Sequence, residues 1–178
     1  MPPRRRHRPE PPAGGATRPA AVPSARDFQW RGRTARTQRQ FETHVAMQEL
    51  VTELEREGVE LLKTTDLSPA QYNVLRILRG AGPEGATCGD VTSRLVKHDP
   101  DVTRLLDRLE RRELIVRTRE ASDRRVVRTR ITKAGLALLA ELDDPVDALH
   151  ERQLGHLTER QLGDLRALVA AIRARRSG

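Results

Sequence analysis

Between Thr34 and Lys63, apolar residues recur at helical spacing: Phe41, Val45, Leu50, Val51, Leu54, Leu61 and Leu62 form one stripe, with no proline to break it. The spacing predicts a helix too long to be covered by a small domain, so that its surplus stripe would pack on a second copy of the chain. Three shorter helices follow, each announced by its start. In LSPAQY, Ser68 suits the N-cap, Pro69 the first helical position and Gln71 a capping box, while Leu67 and Tyr72 can form a hydrophobic staple; this helix is predicted over 69–79. In TCGDV, Thr87 caps a short helix to about Val96, with Asp90 three residues on. In HDPDVTRLLDRLERR, Asp99 is the predicted cap, Pro100 the first helical residue, and Asp101 is well placed for the helix dipole.

The period then changes. LIVRTRE and RVVRTRI are rich in Val, Ile and Thr and flank ASDR, which reads as a hairpin. Arg117 and Arg119 alternate along the first run and Arg128 and Arg130 along the second, consistent with a ribbon wet on one face. Helical spacing returns at Thr132, an N-cap with Ile131 and Leu136 as staple, and Pro145 predicts a kink near Asp144. LTERQL opens a last helix with Thr158 and Gln161 as capping box, running to about Arg175. A hairpin directly after an exposed basic helix is the layout of a winged helix-turn-helix. The expected fold class is therefore mainly α: a winged helix-turn-helix with a small β-hairpin wing, plus a helical dimerisation region from N- and C-terminal helices. The expected organisation is a disordered basic Pro/Arg-rich tail over 1–33, a dimerisation helix over 34–66, the winged helix-turn-helix over 67–131 and C-terminal dimerisation helices over 132–178.

Composition sharpens this picture. Aromatic residues make up only 2% of the chain, so the core must be built from Leu, Val, Ile and Ala, which favours helix on helix over a sheet sandwich. The net charge of +8 is uneven: +6 over 1–33, −3 over 34–90, +5 over 91–131 and 0 over 132–178. Charge confined to a tail and one internal segment is the footprint of a polyanion partner, and double-stranded DNA is the first to test. The single cysteine excludes an intrachain disulfide or a cysteine-cluster zinc site. Without a run of eighteen apolar residues or a secretory apolar segment, the expectation is a soluble cytoplasmic protein with no membrane partner.

The third helix carries the candidate chemistry. At about 100° per residue, Val102, Leu105, Leu106 and Leu109 share one side, while Thr103, Arg104, Asp107 and Arg111 centre on the other, flanked by Arg108 and Arg112. In a major groove, Arg can bridge guanine O6 and N7, Thr can meet a base edge, and Asp can accept from cytosine N4 or orient a neighbouring Arg. The bland reading is a solvated face with an Asp107–Arg111 pair. Arg124 and Arg125 lie at the hairpin tip, where they would meet phosphate or an adjacent groove, with Asp123 shaping the tip.

Other motifs carry less. GAGPEG formally matches a dinucleotide fingerprint, but a capped helix precedes it where a strand is required, so it is a loop. His98, Asp99 and Asp101 lack metal-site spacing and sit at a helix cap, so no metal and no cofactor is expected. No nucleophile elbow, P-loop or H-E-x-x-H occurs, and no enzyme is expected. Cys88 reads as a small buried residue rather than a redox sensor.

DVTRLLDRLERRELIVRTREASDRRVVRTRITKAGLALL resembles the winged-helix core of the MarR family of bacterial transcriptional regulators, in its T-R-L-L-D-R-L helix, D-R-R wing and I-T-x-A-G entry to the next helix. The resemblance implies major-groove contacts by Thr103, Arg104, Asp107 and Arg108, with Arg111 alongside, and a minor-groove role for Arg125 beside Arg124 and Asp123. It implies a homodimer on a pseudo-palindromic operator, acting as a ligand- or signal-responsive repressor; a small-molecule effector could then bind near His44, Tyr72 and Arg76. The alternative is a winged-helix protein-interaction module without operator recognition. One position departs from the family pattern: Glu113 stands where a glycine commonly ends the helix. A left-handed backbone there costs a non-glycine residue on the order of 1 kcal/mol.

Overall fold

The computed structural model describes residues 34–97, 101–120, 123 and 125–175. The chain divides into two units, Met1–Gln48 and Glu49–Gly178. The boundary falls inside the first helix, α1 (Ala35–Leu62), of which only Leu62 is buried. A 3-10 turn over Lys63–Thr65 ends it, and Asp66 takes a left-handed backbone with φ 51°.

The second unit is assembled from short capped elements. α2 (Pro69–Ala81) starts with a complete capping box: the Ser68 hydroxyl accepts from the Gln71 amide at 3.2 Å, and Gln71 Oε1 accepts from the Ser68 amide at 2.9 Å. The Gly-rich loop after α2 holds a 3-10 turn over Gly82–Glu84 and then Gly85, whose φ of 69° and tight approach to the Thr129 carbonyl leave no room for a Cβ. That approach exists because the next residues form a strand, β1 (Ala86–Thr87), that sequence patterning does not announce. Thr87 ends the strand and caps α3 (Cys88–Arg94) with a second complete box to Asp90. Cys88 is exposed, which corrects the expectation of a buried residue. At the head of a capped helix its neighbours are solvent and the first turn, not the core.

α4 (Val102–Arg111) is capped by Asp101, whose carboxylate accepts from the Arg104 amide at 3.2 Å. The predicted cap, Asp99, and Pro100 lie outside the described residues, and the helix begins later than they would place it. β2 (Ile115–Arg119) and β3 (Val127–Ile131) follow as an antiparallel hairpin, and the sheet order is β1-β3-β2. α5 (Lys133–Leu154), capped by Thr132, runs as one helix across Pro145; α6 (Glu159–Ala174) opens with the Thr158–Gln161 box.

The core lies where α2, α3, α4, the sheet and the first half of α5 meet. Val74, Leu75 and Leu78 of α2, Val91 of α3, Leu106 and Leu109 of α4, Ile115 of β2 and Leu139 of α5 are essentially sealed from solvent. Each such side chain contributes about 1.5–3 kcal/mol by leaving water. Gly135 in the first turn of α5 sits directly against the Leu114 carbonyl and the Ile131 side chain, so any Cβ there would collide. By contrast α6 buries nothing, and Leu168 is 64% exposed. No described helix is long and apolar enough to cross a membrane.

Candidate nucleic-acid interface

α4 presents its two faces as its sequence dictates. Val102, Leu105, Leu106 and Leu109 are buried, while Thr103, Arg104, Arg108 and Arg111 are exposed. Arg104 is the most instructive of these. Asp101, already the cap, also pairs with its Nε at 2.9 Å, so one carboxylate fixes both the helix start and the guanidinium. Among the described residues, Arg108 has no hydrogen-bond or ion-pair partner. The Asp107–Arg111 side-chain pair does not form; Arg111 Nε donates to the Asp107 carbonyl at 3.3 Å instead.

Asp107 is engaged elsewhere. Arg117 of β2 reaches back to α4, its Nη2 donating to Asp107 Oδ1 and to Glu110 Oε2, both at 2.6 Å. Its Nε donates to Glu110 Oε2 at 2.9 Å and its backbone amide to Glu110 Oε1 at 3.0 Å. The Arg117 hydrogen bonds hold the Glu110 carboxyl below its usual range, and Glu110 in turn raises the Arg117 guanidinium. Arg117 is only 27% exposed against 77% for Arg104, so it is part of the scaffold and not an open cation.

The hairpin corrects the one-wet-face expectation for the same reason. Its register pairs Ile115 with Ile131, Arg117 with Thr129 and Arg119 with Val127, while Val116 pairs with Arg130 and Thr118 with Arg128. Residues paired across a ladder point to the same side. The arginines of β2 therefore share a face with buried Thr129, and those of β3 lie on the opposite face. Arg128 pairs with Glu120, and Arg130 donates to the Pro83 carbonyl and to Thr118 Oγ1, each at 2.7 Å. Arg112 is likewise structural: it donates to the carbonyls of Thr65 and Asp66 at 3.0 and 2.7 Å. Sequence reasoning missed these ties because each partner is distant along the chain.

At the wing tip, Asp123 Oδ1 accepts from the Arg125 amide at 2.9 Å and its carbonyl from the Val126 amide at 2.9 Å. The carboxylate thus bends the backbone, leaving the Arg125 side chain exposed. Arg124 lies outside the described residues. Helix and wing are joined at Glu113, which has the left-handed φ of 58°. Glu113 and Leu114 donate to the carbonyls of Glu110 and Leu109, completing a Schellman motif with Leu114 buried. Thr132 Oγ1 then donates to the Glu113 carbonyl at 2.7 Å, tying the turn to α5.

Each of the suggested ligand-lining residues is described within its own unit. Tyr72 and Arg76 are one turn apart, with the guanidinium 5.8 Å from the ring centroid, and burial pushes the phenol up. His44 is exposed on α1 in the other unit. A groove of about 850 Å³ instead lies between α1 and α5, lined by Leu50, Leu54, Leu61, Pro145, Ala148 and flanking polar residues. Among the described residues, no cluster of three His, Cys, Asp or Glu could hold a metal ion.

Comparison with known proteins agrees with this geometry. The MarR family model matches residues 65–126, which run from the 3-10 turn after α1 through the wing tip. The HTH-type transcriptional repressor MdtR of Bacillus subtilis is 30% identical over 118 residues, 66% of this chain and 75% of that protein. A MarR transcription factor from Planctomyces limnophilus is 40% identical with a TM-score of 0.58, covering 73% of this chain and 94% of the other. The MepR–DNA complex of S. aureus shares the fold at a TM-score of 0.68 and 23% identity, covering 74% and 96% of the two chains. With its capped helices, its exposed basic helix and its hairpin wing in a three-stranded sheet, the chain belongs to the MarR family of transcriptional regulators and has their DNA-binding winged-helix fold.

Proposed function

We propose that the chain is a repressor that binds a pseudo-palindromic operator as a homodimer, with α4 in the major groove and the wing tip at the minor groove. The observation that carries this reading is the outward set of α4: Thr103, Arg104, Arg108 and Arg111 are exposed on a helix anchored by four buried apolar residues. Arg104, held by Asp101, suits a bidentate guanine contact; Asp107, Arg108 and Arg111 flank it. Arg125, whose backbone is shaped by Asp123, is the wing's contact, and Arg124, outside the described residues, is its proposed partner in that role.

The dimer reading rests on uncovered apolar surface. Leu50 and Val51 of α1 and Leu165, Leu168, Val169 and Ile172 of α6 are all exposed, at the spacing of a helix stripe. Packing two copies through these helices would set the two α4 helices about 34 Å apart, one DNA turn. A small-molecule effector that disturbs this spacing would relieve repression, and Tyr72 with Arg76 offers an aromatic face and a cation for it.

The experiment is an electrophoretic comparison of a duplex selected by the protein from a random pool with an unselected random duplex. The selected duplex should bind at least about 10³-fold more tightly, and Arg104→Ala should remove at least about 10-fold of that preference. Equal binding to both duplexes, unchanged in Arg104→Ala, would favour a protein-interaction module.

A further inference from the structure

The Arg117 clasp has more bonds than the wing needs for its own folding. β2 is already held to β3 along its whole length and to the core by buried Ile115. Yet Arg117 directs its amide, Nε and Nη2 at two carboxylates of α4. Glu110 receives three of these four bonds and supplies the anchor. Asp107 receives one, on Oδ1 only, and among the described residues its Oδ2 has no partner. Asp107 is 43% exposed and belongs to the face that carries Thr103, Arg104 and Arg111.

We propose that Arg117 is a positioning residue for base recognition: the guanidinium locks the Asp107 carboxylate in one orientation, so that its free oxygen is presented to a base edge, while the same clasp fixes the wing's angle to α4. This rests on the DNA-binding reading above. The physical reason is preorganisation. A free aspartate on a helix surface samples several rotamers and, near phosphate, is repelled by it. Clamped by a cation, its negative charge is balanced and its remaining oxygen is held ready to accept from an exocyclic amine such as cytosine N4. Specificity then comes from an arginine that never touches DNA. A lysine would not reproduce the clasp: its single ammonium lacks the second nitrogen, Nε, that binds Glu110, and its flexible stem does not fix the orientation of the bridge as the planar guanidinium does.

Full-length Arg117→Lys, Arg117→Met, Asp107→Asn and the Asp107→Asn/Arg117→Lys double variant test this against the selected duplex, its single base-pair substitutions and a random duplex, with thermal melts as a check of folding. Arg117→Lys should lose about 10-fold of the preference for the selected duplex, with random-duplex affinity and salt slope unchanged. The loss should fall at the base pair where Asp107→Asn also loses discrimination, and the double variant should be no worse than either single change. A merely structural role would weaken every position alike, which would overturn the proposal. So would wild-type selectivity in Arg117→Lys together with a salt slope about one unit shallower in Arg117→Met, the signature of a direct phosphate contact. Arg117→Lys decides the matter even if Arg117→Met fails to fold. If the wild type itself shows no preference between duplexes, the DNA-recognition reading fails and takes this inference with it.

Discussion

Along α4, Arg104, Arg108 and Arg111 stand on an exposed face opposite four buried apolar residues; along the hairpin that follows, Arg117 and Arg128 are held by carboxylates and Arg130 by the Pro83 carbonyl. Both regions are rich in arginine. They differ in where the acids lie. The carboxylates of Glu110 and Asp107 turn toward the wing, so no α4 guanidinium pairs with them and Arg104 meets only its capping Asp101, whereas the hairpin arginines meet Glu110, Asp107 and Glu120. Dense positive charge in a sequence is therefore not a measure of what a polyanion will encounter. The relevant quantity is the set of guanidinium groups left over after folding, and in the hairpin that set shrinks to Arg119 and Arg125 among the described residues.

The largest expected effect tests the helix side. Arg108→Ala should weaken specific binding about 10-fold or more with little change in melting temperature, and titration against the selected duplex would show it. On the scaffold side, Arg112→Ala removes two charge-assisted bonds to the Thr65 and Asp66 carbonyls and should cost about 1–3 kcal/mol in urea unfolding. Its effect on DNA binding should follow the folded fraction alone. Glu113→Gly relieves the left-handed backbone and should raise stability by about 1 kcal/mol, seen as a higher urea midpoint with an unchanged slope. Arg128→Ala should leave the salt dependence of binding unaltered, because that guanidinium already faces Glu120; a shallower slope would return the hairpin arginines to the DNA side. A further small effect is acid sensitivity. Glu110 titrates below its ordinary value of 4.5 when folded, so the clasp's contribution is complete above that value and fades as pH falls through the lower folded one. The wild type should lose stability more steeply than Glu110→Gln below about pH 4.5.

The same contrast explains what the sequence made legible. Caps at Ser68, Thr87, Thr132 and Thr158 are local chemistry, each complete within three residues, and all four appear where the pattern puts them. The buried and exposed sides of α4 follow from helical periodicity alone. What escaped depends on separation. β1 is two residues long and exists only because β3 lies beside it, and the clasp joins residues seven and ten positions apart through a turn. The faces of the hairpin arginines follow from register, which a β-type run does not reveal by itself. The start of α4 moved because aspartates at 99 and 101 are equally good caps by composition, and only folded geometry selects Asp101.

Thr132 has a mechanical consequence. Its hydroxyl begins α5 and donates to the carbonyl of the turn that ends α4, while Gly135 presses the same seam from the first turn of α5. α5 has 22 residues and is thus a rod of about 33 Å pivoted at that seam. A sideways shift of about 3 Å at its distal tip corresponds to a rotation of about 5° about that seam, where α5 is bonded to the end of α4. The far end of α5 is thereby a lever whose fulcrum is the turn that ends α4.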